Sequence, residues 1–117
     1  MITICVALEA ELPQVPQGDY SVIYTGVGKV QAATALSRHL CQYHKPDEIW
    51  NYGTAGGLNA MVKGLNEVGS FVQRDMETQP QAPRGTTPFT DPILADLKTQ
   101  APQSGIRCGT GDSFVQG

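Results

Sequence analysis

The chain has 117 residues, 40% of them hydrophobic, and a formal net charge of −3, which describes one modest globular domain. Its lysines and arginines are scattered, which excludes the clustered basic stripe of a nucleic-acid-binding surface. No segment is long and apolar enough for a membrane span, and the apolar N-terminus is too short and lacks the basic residues of a signal peptide.

The first predicted strand covers residues 2–8, an apolar and β-branched run typical of a central strand covered on both faces. Two carboxylates, Glu9 and Glu11, follow it directly. Residues 20–25 predict a second strand, and the glycines at 26 and 28 then lead into a helix over residues 29–43. The apolar residues of that helix recur at helical spacing and form one stripe: Val30, Ala33, Leu36 and Leu40.

A glycine-rich segment, residues 53–57, follows the next predicted strand, residues 48–52. Glycine loses the most backbone freedom on folding, so several glycines around Thr54 indicate a place where the main chain closely approaches a ligand or another segment. The carboxyl end of a strand is also where open α/β sheets bind their ligands. A tight turn without a ligand explains this segment equally well when it is taken alone.

The second half of the chain continues the alternation of strands and helices. Residues 68–73 predict a strand, and residues 78–90 a surface loop rich in Pro, Thr, Gln and Gly. Asp91 and Pro92 suit the start of a short helix that ends before Pro102, and residues 105–108 predict the last strand. This order predicts an α/β fold with a mixed, largely parallel sheet and helices on both faces, as a single domain over residues 1–117.

The loops after these strands carry the residues suited to chemistry: residues 9–11, 26–29, 53–57 and 109–114. In a largely parallel sheet several of them would meet at one rim and form a small-molecule site. Each signal is weak alone. The segment 26–29, for example, lacks the length of a P-loop and the third glycine of a dinucleotide fingerprint, so a simple turn into a helix explains it better.

The cysteines are odd in number and far apart, which is typical of reduced thiols in a cytosolic protein: Cys5, Cys41 and Cys108. His39 and His44 lack the spacing from cysteines or carboxylates that zinc ligands have. We therefore expect a cytoplasmic protein with no metal site, no cofactor, and no nucleic-acid or membrane partner.

Five segments together carry a family resemblance. They are Ala-Leu-Glu-Ala-Glu at 7–11, Thr-Gly-Val-Gly-Lys-Val at 25–30, Asn-Tyr-Gly-Thr-Ala-Gly-Gly-Leu at 51–58, Val-Gly-Ser-Phe-Val at 68–72 and Gly-Thr-Gly-Asp-Ser-Phe at 109–114. In their order and in their residues, these segments resemble the motifs of the nucleoside phosphorylase/nucleosidase superfamily, and within it those of the 5′-methylthioadenosine/S-adenosylhomocysteine nucleosidases. The resemblance covers essentially the whole chain. Family members run on for about as long again, consistent with ordinary domain lengths, so the chain is expected to be truncated at its C-terminus relative to the family.

The resemblance implies a role for each matching residue. Glu11 matches the carboxylate that holds and activates the attacking water. The substrate-binding residues that it implies, around the sugar and then along the purine, are Val27, Thr54, Ala55, Gly56, Phe114 and Val115. Simpler explanations stay open: Glu11 as a solvated loop acid, and Phe114 as an ordinary core residue.

The implied activity is hydrolysis of the N-glycosidic bond of 5′-methylthioadenosine/S-adenosylhomocysteine-like nucleosides, in methionine salvage, by a homodimer. The resemblance also implies that the ribose-binding Met-Glu and the acid that protonates the purine lie beyond this chain. Weak or absent activity of this chain alone is therefore expected, and Glu77 lies in the wrong segment to replace them.

Two alternatives remain. A purine nucleoside phosphorylase would need cationic side chains for phosphate, but the position where many of them carry Arg is Asn51 here, and the charge of Glu11 would repel phosphate. A non-catalytic nucleoside-binding or assembly module is the other alternative.

Overall fold

The computed structural model describes residues 1–90, 97–113 and 115. The chain forms two compact units, Met1–Gly56 and Gly57–Gly117, here called the first and second unit. Each contains a parallel sheet, and a helix follows the second strand of the first unit. The chain is therefore α/β with parallel strands, as the sequence predicts.

The sheet of the first unit has three strands, β1 (Ile2–Val6), β2 (Tyr20–Tyr24) and β3 (Glu48–Asn51), in the order β2-β1-β3. Both neighbours run parallel to β1. Four consecutive residues of β1 are buried, which is why its sequence is apolar without alternation. The prediction of a central strand at the start of the chain is confirmed, and the core of the first unit lies around it.

Helix α1 (Lys29–Gln42) begins after Gly28, whose φ of 100° is one that other residues rarely adopt. The predicted apolar stripe is present on the helix, but none of the residues of α1 is buried. Val30, at the start of the stripe, is 76% exposed. The described residues therefore leave the apolar face of this helix largely uncovered.

The second unit contains β4 (Ser70–Gln73) and β5 (Arg107–Thr110), which pair in parallel. A 3₁₀ helix, Pro102–Ser104, precedes β5 and ends at Gly105 in the left-handed conformation. The predicted position of the last strand, residues 105–108, is therefore wrong. The observed strand starts at Arg107, because Gly105 still belongs to the turn.

The predicted helix after Asp91 needs a second correction. Residues 91–96 lie outside the described residues, but residues 97–101 are not helical. Their main chain pairs with the start of β4 instead: Phe71 N–H donates to Leu97 O at 2.9 Å, and Lys98 forms an antiparallel bridge with Ser70. Pairing along the free edge of a strand satisfies these backbone groups and replaces the helical bonds.

The thiols of the chain are unpaired: Cys5 is buried, Cys108 is half-buried and Cys41 is exposed. Among the described residues, no cluster of His, Cys, Asp or Glu could hold a metal ion. Within the same ranges, no helix has the length and apolar character needed to cross a bilayer.

Candidate active site

The strands of the first unit all end at one edge of their sheet, here called the carboxyl edge. Because β1, β2 and β3 are parallel and in register, the segments after Val6, Tyr24 and Asn51 leave from the same side. Pairing continues past the strands, since Tyr52 N–H donates to Cys5 O at 2.9 Å. Ligands of open parallel sheets bind at such an edge.

A single turn of 3₁₀ helix, Glu9–Glu11, places Glu11 at the carboxyl edge. The main-chain N–H of Glu11 donates to Leu8 O at 3.0 Å, and Leu8 N–H donates to Oε1 of Glu11 at 3.1 Å. These reciprocal bonds resemble those of a capping box, in which an acid at the third helical position returns to the residue before the helix. The side chain is thereby held against its own turn.

The other oxygen of Glu11 is held by Thr54, from the segment that follows β3. Thr54 N–H donates to Oε2 at 3.0 Å, and the Thr54 hydroxyl contacts the same oxygen at 3.1 Å. An ionised carboxylate only accepts hydrogen bonds, so the hydroxyl is the donor here. Two residues 43 positions apart in the sequence are thus joined by two bonds at one carboxylate oxygen.

Gly53 allows this close approach. A Cβ at this position would lie 3.2 Å from Oε2 of Glu11, tighter than most contacts that a Cβ makes. A side chain would push the carboxylate away from Thr54. The space that the Glu11 carboxylate occupies therefore favours glycine before Thr54.

The hydrogen bonds fix the ionisation of Glu11. The Thr54 main-chain N–H, assisted by Leu8 N–H and the Thr54 hydroxyl, lowers the pKa of Glu11 against the opposing effect of partial desolvation. The side chain is therefore a carboxylate near neutral pH and cannot donate a proton there. Oε2 already accepts two bonds, whereas Oε1 accepts one from the described residues, so its second lone pair can bind a further donor.

The other predicted site residues of the first unit are Val27, Ala55 and Gly56. Val27 follows the end of β2 and is 69% exposed. Ala55 and Gly56 follow Thr54 and are exposed, and a Cβ at Gly56 would meet nothing within 4 Å. The structure therefore joins Glu11 to Thr54 directly and gives the backbone after Thr54 open space.

The predicted residues of the purine site fall in the second unit. Val115 is exposed, and Phe114 lies outside the described residues. Glu77 accepts a local bond from Gln79 N–H at 3.0 Å.

Sequence reasoning missed two partners of Glu11. Leu8 binds Glu11 through its main-chain N–H and carbonyl oxygen, and the signal for it is an acid three positions after the residue that precedes the turn. Gly53 belongs to the glycine segment that the sequence singled out, but its neighbour across the sheet is visible only in the structure.

Comparison with known proteins identifies the family. The model of the phosphorylase superfamily matches residues 9–111, a range that includes Glu11 and Thr54. The chain belongs to the phosphorylase superfamily. In this member of the superfamily, the match begins at the 3₁₀ turn of Glu11 and ends in the segment after β5.

Two curated relatives are similar to this superfamily member. Both are named 5′-methylthioadenosine/S-adenosylhomocysteine nucleosidase and come from Haemophilus influenzae, strains PittGG and 86-028NP. Each is 35% identical over 118 residues, covering 83% of this chain and 48% of the relative. The chain thus spans about half the length of the curated relatives that it matches. No solved structure gives a significant match to the sequence.

Proposed function

We propose that this protein acts as a purine nucleosidase, which hydrolyses the N-glycosidic bond of 5′-methylthioadenosine/S-adenosylhomocysteine-like nucleosides. The observation that carries the proposal is the Glu11 carboxylate, held ionised at the carboxyl edge by Leu8 and Thr54. The names of the two relatives support the substrate class.

The proposed chemistry begins with cleavage of the bond between the anomeric carbon and the purine nitrogen. The bonding electrons leave with the base, and the sugar becomes a ribosyl cation, much as in glycoside hydrolysis. Water donates one hydrogen bond to Oε1 of Glu11 and attacks the anomeric carbon. Its proton passes to the carboxylate, while the base takes a proton at a ring nitrogen from an acid that we do not assign to this chain.

The ionised state of Glu11 suits this role. A negative charge about 4 Å from a positive one contributes about 4 kcal/mol at an effective dielectric constant of about 20, which favours the cation over the neutral nucleoside. The same charge opposes the approach of phosphate by a similar amount. Hydrolysis is therefore favoured over phosphorolysis at this carboxylate.

We further propose a cytoplasmic homodimer that acts in methionine salvage. Unpaired thiols support a reducing compartment. Ile49 and Trp50 on the edge strand β3 are both exposed, and no residue of the apolar stripe of α1 is buried; such surfaces favour association with a second subunit. Light scattering coupled to size-exclusion chromatography should then give twice the mass of one chain, and a monomeric mass would reject the dimer.

The proposed function is tested with methylthioadenosine in phosphate-free buffer. Calorimetry should detect binding by the wild-type chain, and chromatography should detect slow release of adenine, because the acid for the leaving base is not assigned here. Added phosphate should not accelerate release. Absence of methylthioadenosine binding, or phosphate-dependent formation of ribose 1-phosphate, would reject the nucleosidase proposal. A turnover as fast as that of a full-length relative would contradict our expectation for this chain alone.

A further inference from the structure

The turn that carries Glu11 has little core packing to hold it in place. It is a three-residue 3₁₀ helix, Glu9–Glu11, and none of its residues is buried. The hydrogen bonds within a 3₁₀ helix have poorer geometry than those of an α-helix, so such a turn is weakly held by itself. The position of the Glu11 carboxylate therefore depends on bonds from the turn to other segments.

Tyr24 supplies such a bond. Its phenolic hydroxyl donates to the main-chain oxygen of Leu12 at 2.5 Å, across 12 positions in the sequence. Leu12 follows Glu11 directly and closes the turn, since its N–H donates to Glu9 O at 3.1 Å. Carbonyl groups at the end of a helical turn lack partners within the turn and accept from elsewhere. Tyr24 therefore binds the main chain one residue after Glu11.

The backbone around Tyr24 is anchored to the central strand. Tyr24 is the last residue of β2 and pairs with Val6 of β1. The pairing continues past the end of β2. Thr25 N–H donates to Val6 O at 2.8 Å, and the next N–H, that of Gly26, donates to Ala7 O at 3.0 Å. The phenol therefore extends from a backbone fixed to the strand that leads into the turn, as the support of a functional side chain requires.

We propose that Tyr24 is a positioning residue for the nucleosidase reaction: its hydroxyl holds the main chain at Leu12 and thereby fixes the place of the Glu11 carboxylate. The inference rests on the proposed function, because it takes Glu11 as the group that binds the attacking water. The turn after β1 is thus held from both neighbouring strands, by Tyr24 at the end of β2 and by Thr54 after β3. Displacement of a reacting group by about 1 Å is enough to lower a rate strongly.

Tyr24→Phe provides the first test, because it removes only the hydroxyl from a side chain that is 40% exposed. Without the bond to Leu12, the turn should hold Glu11 less well against Thr54. The pKa of Glu11 should then rise toward its usual value, as followed by carboxyl-carbon NMR. Hydrogen exchange at the Thr54 amide, which donates to Glu11, should become about fivefold faster. Exchange at the Thr25 amide, which donates to β1, should stay unchanged.

Tyr20→Phe is the matched control. Tyr20 begins the same strand, and its ring lies 6.2 Å from that of Trp50 between centroids, a contact that does not need the hydroxyl. This variant should keep the wild-type pKa of Glu11 and the wild-type exchange rate at the Thr54 amide.

A kinetic test separates positioning of Glu11 from a general loss of folding. In the wild-type background, Tyr24→Phe should slow the release of adenine from methylthioadenosine about fivefold and leave KM unchanged, because Glu11 acts in the transition state. In the Glu11→Gln background, the same change should have no further effect on adenine release. The charge that Tyr24 positions is already absent there, so the two substitutions are not additive.

The outcomes that overturn this inference differ from failure of the proposed function. A Tyr24→Phe chain with the wild-type pKa of Glu11 and wild-type exchange at the Thr54 amide overturns it, as does faster exchange at the Thr54 and Thr25 amides alike. An equal fold-loss of adenine release in both backgrounds also overturns it. If the wild-type chain does not bind methylthioadenosine, the proposed function fails. The pKa and exchange measurements need no substrate and then decide alone whether Tyr24 positions Glu11.

Discussion

In each unit, a carboxylate that follows one strand accepts a main-chain N–H from the segment after the neighbouring strand, but the two carboxylates differ in their other partners. In the first unit, Oε2 of Glu11 accepts the main-chain N–H of Thr54, from the segment after a neighbouring parallel strand. In the second unit, Oδ2 of Asp75 accepts the main-chain N–H of Asp112 in the same relation. Parallel strands end side by side, so an acid after one strand can accept the exposed amides after the next.

The difference lies in what accompanies each carboxylate. Glu11 is accompanied by neutral donors, the Leu8 amide and the Thr54 hydroxyl, and Oε1 can accept from a further donor. Asp75 is accompanied by Arg74, which binds the same segment as the acid does. Neutral donors leave the negative charge of a carboxylate uncompensated, whereas an acid and a base that bind one segment hold it from two side chains.

The largest expected effect is a loss of adenine release when Glu11 loses its charge. Glu11→Gln keeps the shape but loses the charge that stabilises the ribosyl cation, so adenine release should fall by about 100-fold or more. Glu9→Gln, at the exposed acid of the same turn, is the matched control and should release adenine at the wild-type rate. Equal rates for Glu11→Gln and wild type, measured over long incubations, would remove Glu11 from the mechanism.

The next effect concerns the space beside Glu11. Gly53→Ala places a Cβ 3.2 Å from Oε2 and should displace the carboxylate from Thr54, at a cost of about 1–2 kcal/mol in unfolding free energy. The pKa of Glu11 should rise toward its usual value, as followed by carboxyl-carbon NMR. Gly56→Ala meets nothing within 4 Å and should change neither quantity. A Gly53→Ala protein with the wild-type pKa of Glu11 would contradict the contact.

A smaller effect is expected from the Thr54 hydroxyl. Thr54→Val removes one donor to Oε2 and should raise the pKa of Glu11 slightly, while Thr54→Ser keeps the donor and should not. The main-chain N–H of residue 54 remains in both variants and is the largest cause of the lowered pKa, so most of the effect should survive. Loss of the entire pKa shift in Thr54→Val would show that the hydroxyl dominates.

The smallest effect is the contribution of Glu11 to stability as pH changes. Its pKa is lowered in the folded chain, so the ionised form stabilises folding above the unfolded pKa of about 4.3, and this contribution is lost as pH falls through the folded value. The difference in unfolding free energy between wild type and Glu11→Gln should therefore shrink below about pH 4.3. Solvent screening keeps this difference in unfolding free energy small. A difference that grows on acidification would reverse the sign of the pKa shift.

Much of the fold could be predicted where a local sequence pattern is compatible with only one type of secondary structure. The unbroken apolar run of β1 predicted a buried central strand, and the glycine before Lys29 marked the start of α1. The prediction failed for residues 97–101, whose local pattern suits a helix, because the edge of β4 offered their backbone other partners. The start of the last strand also moved, because Gly105 continues the preceding turn.

The sequence by itself determined that an acid follows β1 and that a glycine-flanked threonine follows β3, since both are properties of local segments. Only the tertiary structure decided that Thr54 binds Oε2 of Glu11, that Leu8 binds Oε1, and that Gly53 makes room for the carboxylate. The physical reason is register. Hydrogen bonds between residues far apart in the chain depend on how parallel strands align, and no local pattern contains that alignment.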